Sequence, residues 1–261
     1  MKRYGDVELQ QRGNVTVLEL QRPPYNFFDA VLIRDVADAL EYLDDLGDCR
    51  AVVLAARGRA FSAGADFQAD TGKALFDGGS GRSAGNLYEH ALRLFRTRKP
   101  IVAAIQGPAI GGGLGLALVA DFRVVCEHSR FAANFVQLGV HAGFGISHTL
   151  PRIVGQQNAS LMLYTGRRVG PEAALAMGLA DALSSADRLR DDAIALAAEI
   201  AAAAPLAVES TRATLRQGLA DAVEQQLQRE FAEQLRLAAT NDHAEGVRAV
   251  SERRPGKYTR S

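Results

Sequence analysis

The stretch Ile101-Val102-Ala103-Ala104-Ile105-Gln106-Gly107-Pro108-Ala109-Ile110-Gly111-Gly112-Gly113-Leu114-Gly115 joins five apolar residues to a triple glycine and then to the apolar run 114–120. A short apolar run bounded by Lys99-Pro100 and Gly107-Pro108 reads as a buried parallel strand. Consecutive glycines allow the sharp turn that carries a strand into a helix. A second apolar strand is expected at 122–126. Parallel strands need a crossover between them, so strand, helix and strand in this order argue for an α/β architecture.

The same pattern extends toward the N-terminus. Residues 7–20 contain two β-type runs around Gly13-Asn14, a dipeptide suited to a hairpin, and Arg22-Pro23-Pro24 ends the second run. Asp29 is a good N-cap for a helix to about Leu46, with Leu32, Val36, Leu40 and Leu43 on one face and Gly47 as its stop. Residues 51–56 read as another buried strand, followed by a second glycine-centred turn, Phe61-Ser62-Ala63-Gly64-Ala65-Asp66. Residues 69–85, rich in Gly, Ser, Asp and Lys, read as a long surface loop of the kind used as lids. A helix is expected over 86–98.

From Gln156 onward the pattern is almost wholly helical. Gly166, Pro171 and Gly178 punctuate two short helices, and longer ones are expected over 186–204, 206–218 and 219–240. Asp242-His243-Ala244-Glu245 has capping-box spacing for the last helix. The composition shift near residue 195 predicts a core over 1–195 and a helical C-terminal region over 196–261. The stripe Leu219, Val223, Leu227, Phe231 and Leu235 packs by default on the core, or else on a neighbouring subunit.

The 261 residues carry 30 basic and 30 acidic side chains, so no global field draws the chain to nucleic acid or to an anionic membrane. No run approaches the ~18 apolar residues of a membrane span. The start of the chain lacks the apolar segment of a signal peptide, and a cytoplasmic location is expected. Cys49 and Cys126 have neither metal nor CxxC spacing and read as reduced, buried thiols. No metal site is predicted.

The residues alone leave the chemistry of the triple-glycine turn open. Phosphate binding is one reading, but no Lys-Ser/Thr follows, and Leu116 stands where a GxGxxG fingerprint needs its third glycine. An oxyanion hole is another, in which a preorganised N–H donor is worth ~3–4 kcal/mol. A purely structural turn is the third.

Four segments taken together are similar to the enoyl-CoA hydratase/isomerase (crotonase) family. They are 61–66, 99–107, Gly111-Gly112-Gly113 and Ala120-Asp121-Phe122-Arg123. Arg22-Pro23 with Asn26, Leu138-Gly139, Leu150-Pro151-Arg152, Thr165-Gly166 and Glu245-Gly246 extend the resemblance over nearly the whole chain. It implies a crotonase-like spiral of ββα units with a helical C-terminal trimerisation region, as a homotrimer or dimer of trimers. It implies an acyl-CoA substrate, with coenzyme A part of that substrate and no further cofactor. The oxyanion donors fall on the N–H groups of Ala65 and Gly112. Substrate contacts fall on Arg22, Asn26, Ala63, Gly64, Asp66, Gly111 and Phe135, with Arg254 and Lys257 as candidates for the phosphates.

The chain departs from the family at its carboxylates. Gly115 and Phe135 stand where hydratases carry their two glutamates, and Ala142 and Gly143 where other members carry an aspartate. General acid–base work contributes 10²–10⁴-fold, so efficient hydration is not expected. His141, beside the last vacant station, is the candidate base; a loop histidine bonded to backbone is the plainer reading. Isomerisation, thioester hydrolysis, decarboxylation and catalytically silent acyl-CoA binding all stay open.

Overall fold

The hairpin around Gly13-Asn14 sets the register of the sheet. Strand β2 (Val7–Arg12) runs antiparallel to β3 (Val15–Leu20), from Val7 opposite Leu20 to Arg12 opposite Val15. In this computed structural model, which describes residues 2–66 and 87–261, β3 pairs in parallel with β4 (Ala51–Ala56). Strand β4 continues in parallel to β5 (Ile101–Ile105). With β6 (Pro108–Ile110), β7 (Phe122–Val125), β8 (Arg130–Ala132) and β9 (Ala182–Leu183) in chain order, the main sheet reads β1-β2-β3-β4-β5-β7-β9. Its edge strand β1 (Lys2–Tyr4) is an antiparallel addition that carries no sequence signal.

Strand β4 is buried at every position, as a central parallel strand requires. Its alternation divides the core into two. Val52 and Leu54 join Leu18, Ile101, Ala103 and Ile105 on one face. Val53 joins Val15, Val17, Val102, Ala104 and Val124 on the other. Helix α1 (Ala30–Asp45) covers the first face with Leu32, Ile33, Val36 and Leu40, each side chain worth roughly 1.5–3 kcal/mol when fully buried.

A second, two-stranded parallel sheet pairs β6 with β8. The chain passes from β5 to β6 and into α3 (Gly112–Val119), then from β7 to β8 and into a 3₁₀ turn at Asn134–Leu138. A bridge from Ser62 to Ala109 brings the segment after β4 into the small sheet as well. This repeated passage from large sheet to small sheet is the ββα spiral.

Of the helix expected at 86–98, α2 spans Leu87–Phe95; the expected lid at 69–85 lies outside the described residues. Helix α4 (Ile146–Thr165) is a longer element than its glycines and proline suggest, kinked at Gly155 and admitting Pro151. Helices α5 (Pro171–Ala176), α6 (Leu189–Ala201), α7 (Pro205–Leu215), α8 (Leu219–Ala238) and α9 (Asn241–Ser251) follow. Residue 195 falls inside α6, whose Leu189, Ala193, Ala197 and Ala201 cover the second sheet face. The last helix begins earlier than its capping-box spacing indicates: Thr240 is the N-cap, its hydroxyl accepting from His243 N. Glu245 is drawn instead to Arg248 and Arg254. Cys49 and Cys126 are buried and unbridged. Among the described residues no single helix is long and apolar enough to cross a membrane.

Candidate active site

The first glycine turn is clamped from behind by Asn26, which is fully buried. Its Oδ1 accepts from Arg22 N at 3.0 Å, and its Nδ2 donates to the carbonyls of Arg57 at 2.7 Å and Ala60 at 2.8 Å. Ser62 Oγ donates to the Asn26 carbonyl and accepts from Gly64 N. Ala63 N donates to Tyr25 O, and Phe28 N to Gly64 O. Gly64 is left-handed at φ +76°, and a Cβ on it would lie 2.7 Å from Ile110 O and 3.4 Å from Gly112 N. The absence of that carbon lets the two glycine turns touch.

Strand β6 locks the pair together, with Ser62 N donating to Pro108 O and Ile110 N to Ser62 O. Among the described residues no acceptor faces the N–H groups of Ala65 and Gly112. Gly112 opens α3, where amides lack intrahelical partners and the helix dipole is positive. Both residues line one cavity of about 620 Å³. Its wall is largely apolar, built from Phe27, Phe28, Leu87, Phe135, Leu138, Val140 and Phe144.

Gly115 lies one helical turn beyond Gly112, and its side-chain space is taken. A Cβ there would be 2.7 Å from Phe144 Cδ1 and 2.9 Å from Phe144 Cβ. Phe144 adopts φ +63°, rare for a residue with a side chain. Its ring packs against Phe28 at 5.5 Å between centroids. Glu230 fixes the backbone just after it: Oε2 accepts from Gly145 N at 2.7 Å, and Oε1 from Ser147 N at 3.0 Å and from Ser147 Oγ. Burial pushes the Glu230 carboxyl above the ordinary range, although these hydrogen bonds pull the other way.

Tyr88, on α2, enters the cavity with its ring 5.4 Å from Phe231. Its hydroxyl donates to Gln234 Oε1, while Gln234 Nε2 donates to the His141 carbonyl at 2.9 Å. A Cβ on Gly143 would fall 2.5 Å from that hydroxyl oxygen. Burial, and then the nearby Glu230, push the phenol well above its usual range, while a hydrogen bond from the Phe144 backbone pulls it down.

Of the residues singled out from sequence, Ala63, Gly64, Ala65, Asp66, Gly111, Gly112 and Phe135 line the cavity, as does Asn134. Four do not. Arg22 is ion-paired to Asp6 at 2.6 Å and Asp29 at 3.0 Å, and Asn26 is the clamp behind the turn. Lys257 lies in the C-terminal segment, where its backbone N donates to Glu245 Oε1. His141 is not brought to the cavity either: its Nδ1 sits 2.8 Å from the Ala142 carbonyl, the backbone-bonded reading rather than that of a base. Arg254 is held by Glu245 and Glu252, and among the described residues the basic ones lining the cavity are Arg168 and Arg253, both exposed. Neither they nor Tyr88, Phe144 and Gln234 have a local sequence signal. Tyr88 is followed by Glu89, which is exposed, and by His90, whose Nδ1 lies 3.2 Å from Arg93 Nη1.

A twisted sheet spiralling into a small second sheet, with a glycine turn at each crossing and an apolar cavity between, defines the crotonase-type α/β class. The chain belongs to the enoyl-CoA hydratase/isomerase family, whose model matches residues 10–261. It is 33% identical over 260 residues to a probable enoyl-CoA hydratase of Rhizobium meliloti, covering 98% of each chain. It is 36% identical over 213 residues to a carnitinyl-CoA dehydratase of Proteus mirabilis, covering 80% of each. The crystal structure of an enoyl-CoA hydratase/isomerase from Pseudoalteromonas atlantica superposes with a TM-score of 0.87 at 28% identity, covering 97% of this chain and all of that one.

Proposed function

We propose that this chain binds acyl-CoA thioesters and holds the thioester oxygen between the N–H groups of Ala65 and Gly112, stabilising an enolate. The observation that carries the reading is the contact of the two turns at Gly64, with two amides in one largely apolar cavity that meet no acceptor among the described residues. Donors fixed in advance in a dry site need no reorganisation as charge develops, and removing one typically costs ~2.7–4 kcal/mol. Coenzyme A is part of the substrate on this reading, with no separate cofactor, and Arg168 and Arg253 are suited to its phosphates.

Efficient hydration is not part of the proposal. A glutamate at 115 has no room beside Phe144, and Phe135 presents a ring where a second carboxylate would act. The same vacancies favour a second reading, a catalytically silent acyl-CoA-binding protein. Calorimetry with butyryl-CoA against free coenzyme A tests the first claim, and no affinity for the thioester overturns it. Gly64→Ala forces a methyl toward Ile110 O at an unfavourable φ. It is expected to separate the turns and weaken any thioester chemistry at least 10²-fold. A thioester screen read by mass spectrometry separates enzyme from binder. We further propose assembly as a homotrimer or dimer of trimers in the cytoplasm, supported by the exposed Tyr164, Leu206 and Leu215, each at least 75% accessible.

A further inference from the structure

We infer that the cavity takes an aryl acyl-CoA, a thioester whose aromatic ring stands on the carbonyl or one carbon away from it. The inference rests on the reading that Ala65 and Gly112 hold the thioester oxygen. What carries it is a collar of three phenyl rings, each set against a glycine in or just before the first turn of α3.

Phe28 stands over Gly112, where a Cβ would fall against its ring. Beside Gly111, Phe135 Cζ lies 3.8 Å and Asn134 Oδ1 3.4 Å from the place of a Cβ. Phe144 covers Gly115, with Cδ1 2.7 Å from the same point there. All three rings are buried and all three line the cavity. Each is held by backbone contacts made without a ligand. Phe28 N donates to Gly64 O at 3.0 Å, Val140 N to Phe135 O at 3.1 Å, and Glu230 fixes the chain directly after Phe144. Phe28 and Phe144 meet at 5.5 Å and 47°, the tilted contact that aromatic pairs favour. Tyr25 and Phe27, 5.6 Å apart and inclined at 54°, add a second tilted pair to the lining.

Rings in this arrangement select by charge distribution as well as by shape. An aromatic ring has a negative face and a positive edge, so a flat ring entering the collar meets its neighbours edge to face or offset. Such contacts add about two- to ten-fold in affinity beyond the area buried. A saturated ring of the same carbon count buries at least as much apolar surface but has no π face to offer. An aryl group next to the carbonyl is also flat and stiff, so it gives up little rotamer freedom on binding. A straight acyl chain gains from area alone and loses freedom at each bond. The collar surrounds the Gly112 donor itself, so the ring it selects is the one nearest the thioester.

Calorimetry on the full chain compares benzoyl-CoA with cyclohexanecarbonyl-CoA and phenylacetyl-CoA with cyclohexylacetyl-CoA, with butyryl-CoA and free coenzyme A as references. In at least one pair the aryl member is expected to bind about two- to ten-fold tighter than its saturated partner. A plain apolar wall would hold the saturated ring at least as well. Phe135→Leu and Phe144→Leu each keep apolar bulk and remove one ring, and each is expected to bring that ratio down toward one. If a variant fails to fold, the native ratio and the other variant decide. The inference is overturned if butyryl-CoA binds and the saturated member binds as tightly as the aryl one in both pairs. It is overturned too if the native preference persists undiminished in the leucine variants. If no thioester binds more tightly than free coenzyme A, the thioester reading beneath it falls instead.

Discussion

Gly115 and Phe144 compete for one space, and the aromatic ring holds it. A methyl at 115 would press on Phe144 Cδ1, Cβ and Cγ at once, all within 3.0 Å. Overpacking of this kind costs about 1–3 kcal/mol. Gly115→Ala is therefore expected to lower the urea-unfolding free energy by that amount, and by clearly less in a Phe144→Gly background, where all three atoms are gone. Equal costs in the two backgrounds would mean that the ring is not what excludes a side chain at 115. That residue 115 is a glycine is plain in the sequence. That a phenylalanine twenty-nine positions later fills the hole is not, because the approach depends on a left-handed backbone at 144 that no local preference announces.

Among the elements, α1 was the most legible. Asp29 caps it as expected, its Oδ1 accepting from Leu32 N at 2.9 Å, and Asp29→Ala is expected to cost about 1 kcal/mol in thermal or urea unfolding. Helix α4 was less so, because its N-terminus is capped from another helix. Glu230 of α8 receives the amides of Gly145 and Ser147. Its raised pKa means that the folded chain binds the proton more tightly than the unfolded chain, whose Glu titrates near ~4.3. The stability this group contributes is fully present below that unfolded value and is lost as pH rises through the folded pKa. Lowering the pH from 8 toward 5 is thus expected to stabilise the native chain relative to Glu230→Gln. A difference flat in pH would show that Glu230 titrates as in the unfolded chain.

At the scale of the whole molecule, the two glycine turns meet at one cavity, and on the proposed reading their amides hold an oxyanion without the carboxylates that hydration uses. Crotonyl-CoA hydration is expected to run at least 10²-fold below that of a relative with both glutamates, followed by the loss of enoyl absorbance. Comparable rates would show that another group replaces them. The stripe on α8 is buried over its first half and open toward its end. Leu219, Val223 and Leu227 are buried in the core, Phe231 backs Tyr88, and Leu235 is 39% exposed. Sedimentation velocity is expected to report three or six copies. A monomer at micromolar concentration would count against subunit contacts through the exposed leucines of α7.

What the sequence determined by itself is what depends on neighbours along the chain. The Gly13-Asn14 hairpin, the apolar runs of β4 and β5, the Asp29 cap and the two glycine turns all act within a few residues. The contact of the two turns was legible because glycine marks a backbone that must come close to something. What only the tertiary structure decided is which side chains meet across long separations. Tyr88 reaches Gly143 and Gln234, Glu230 reaches Gly145, and His141 turns to its own backbone. Such meetings follow from how α2 and α8 pack against the loop before α4, and packing is fixed by the whole core rather than by any short stretch.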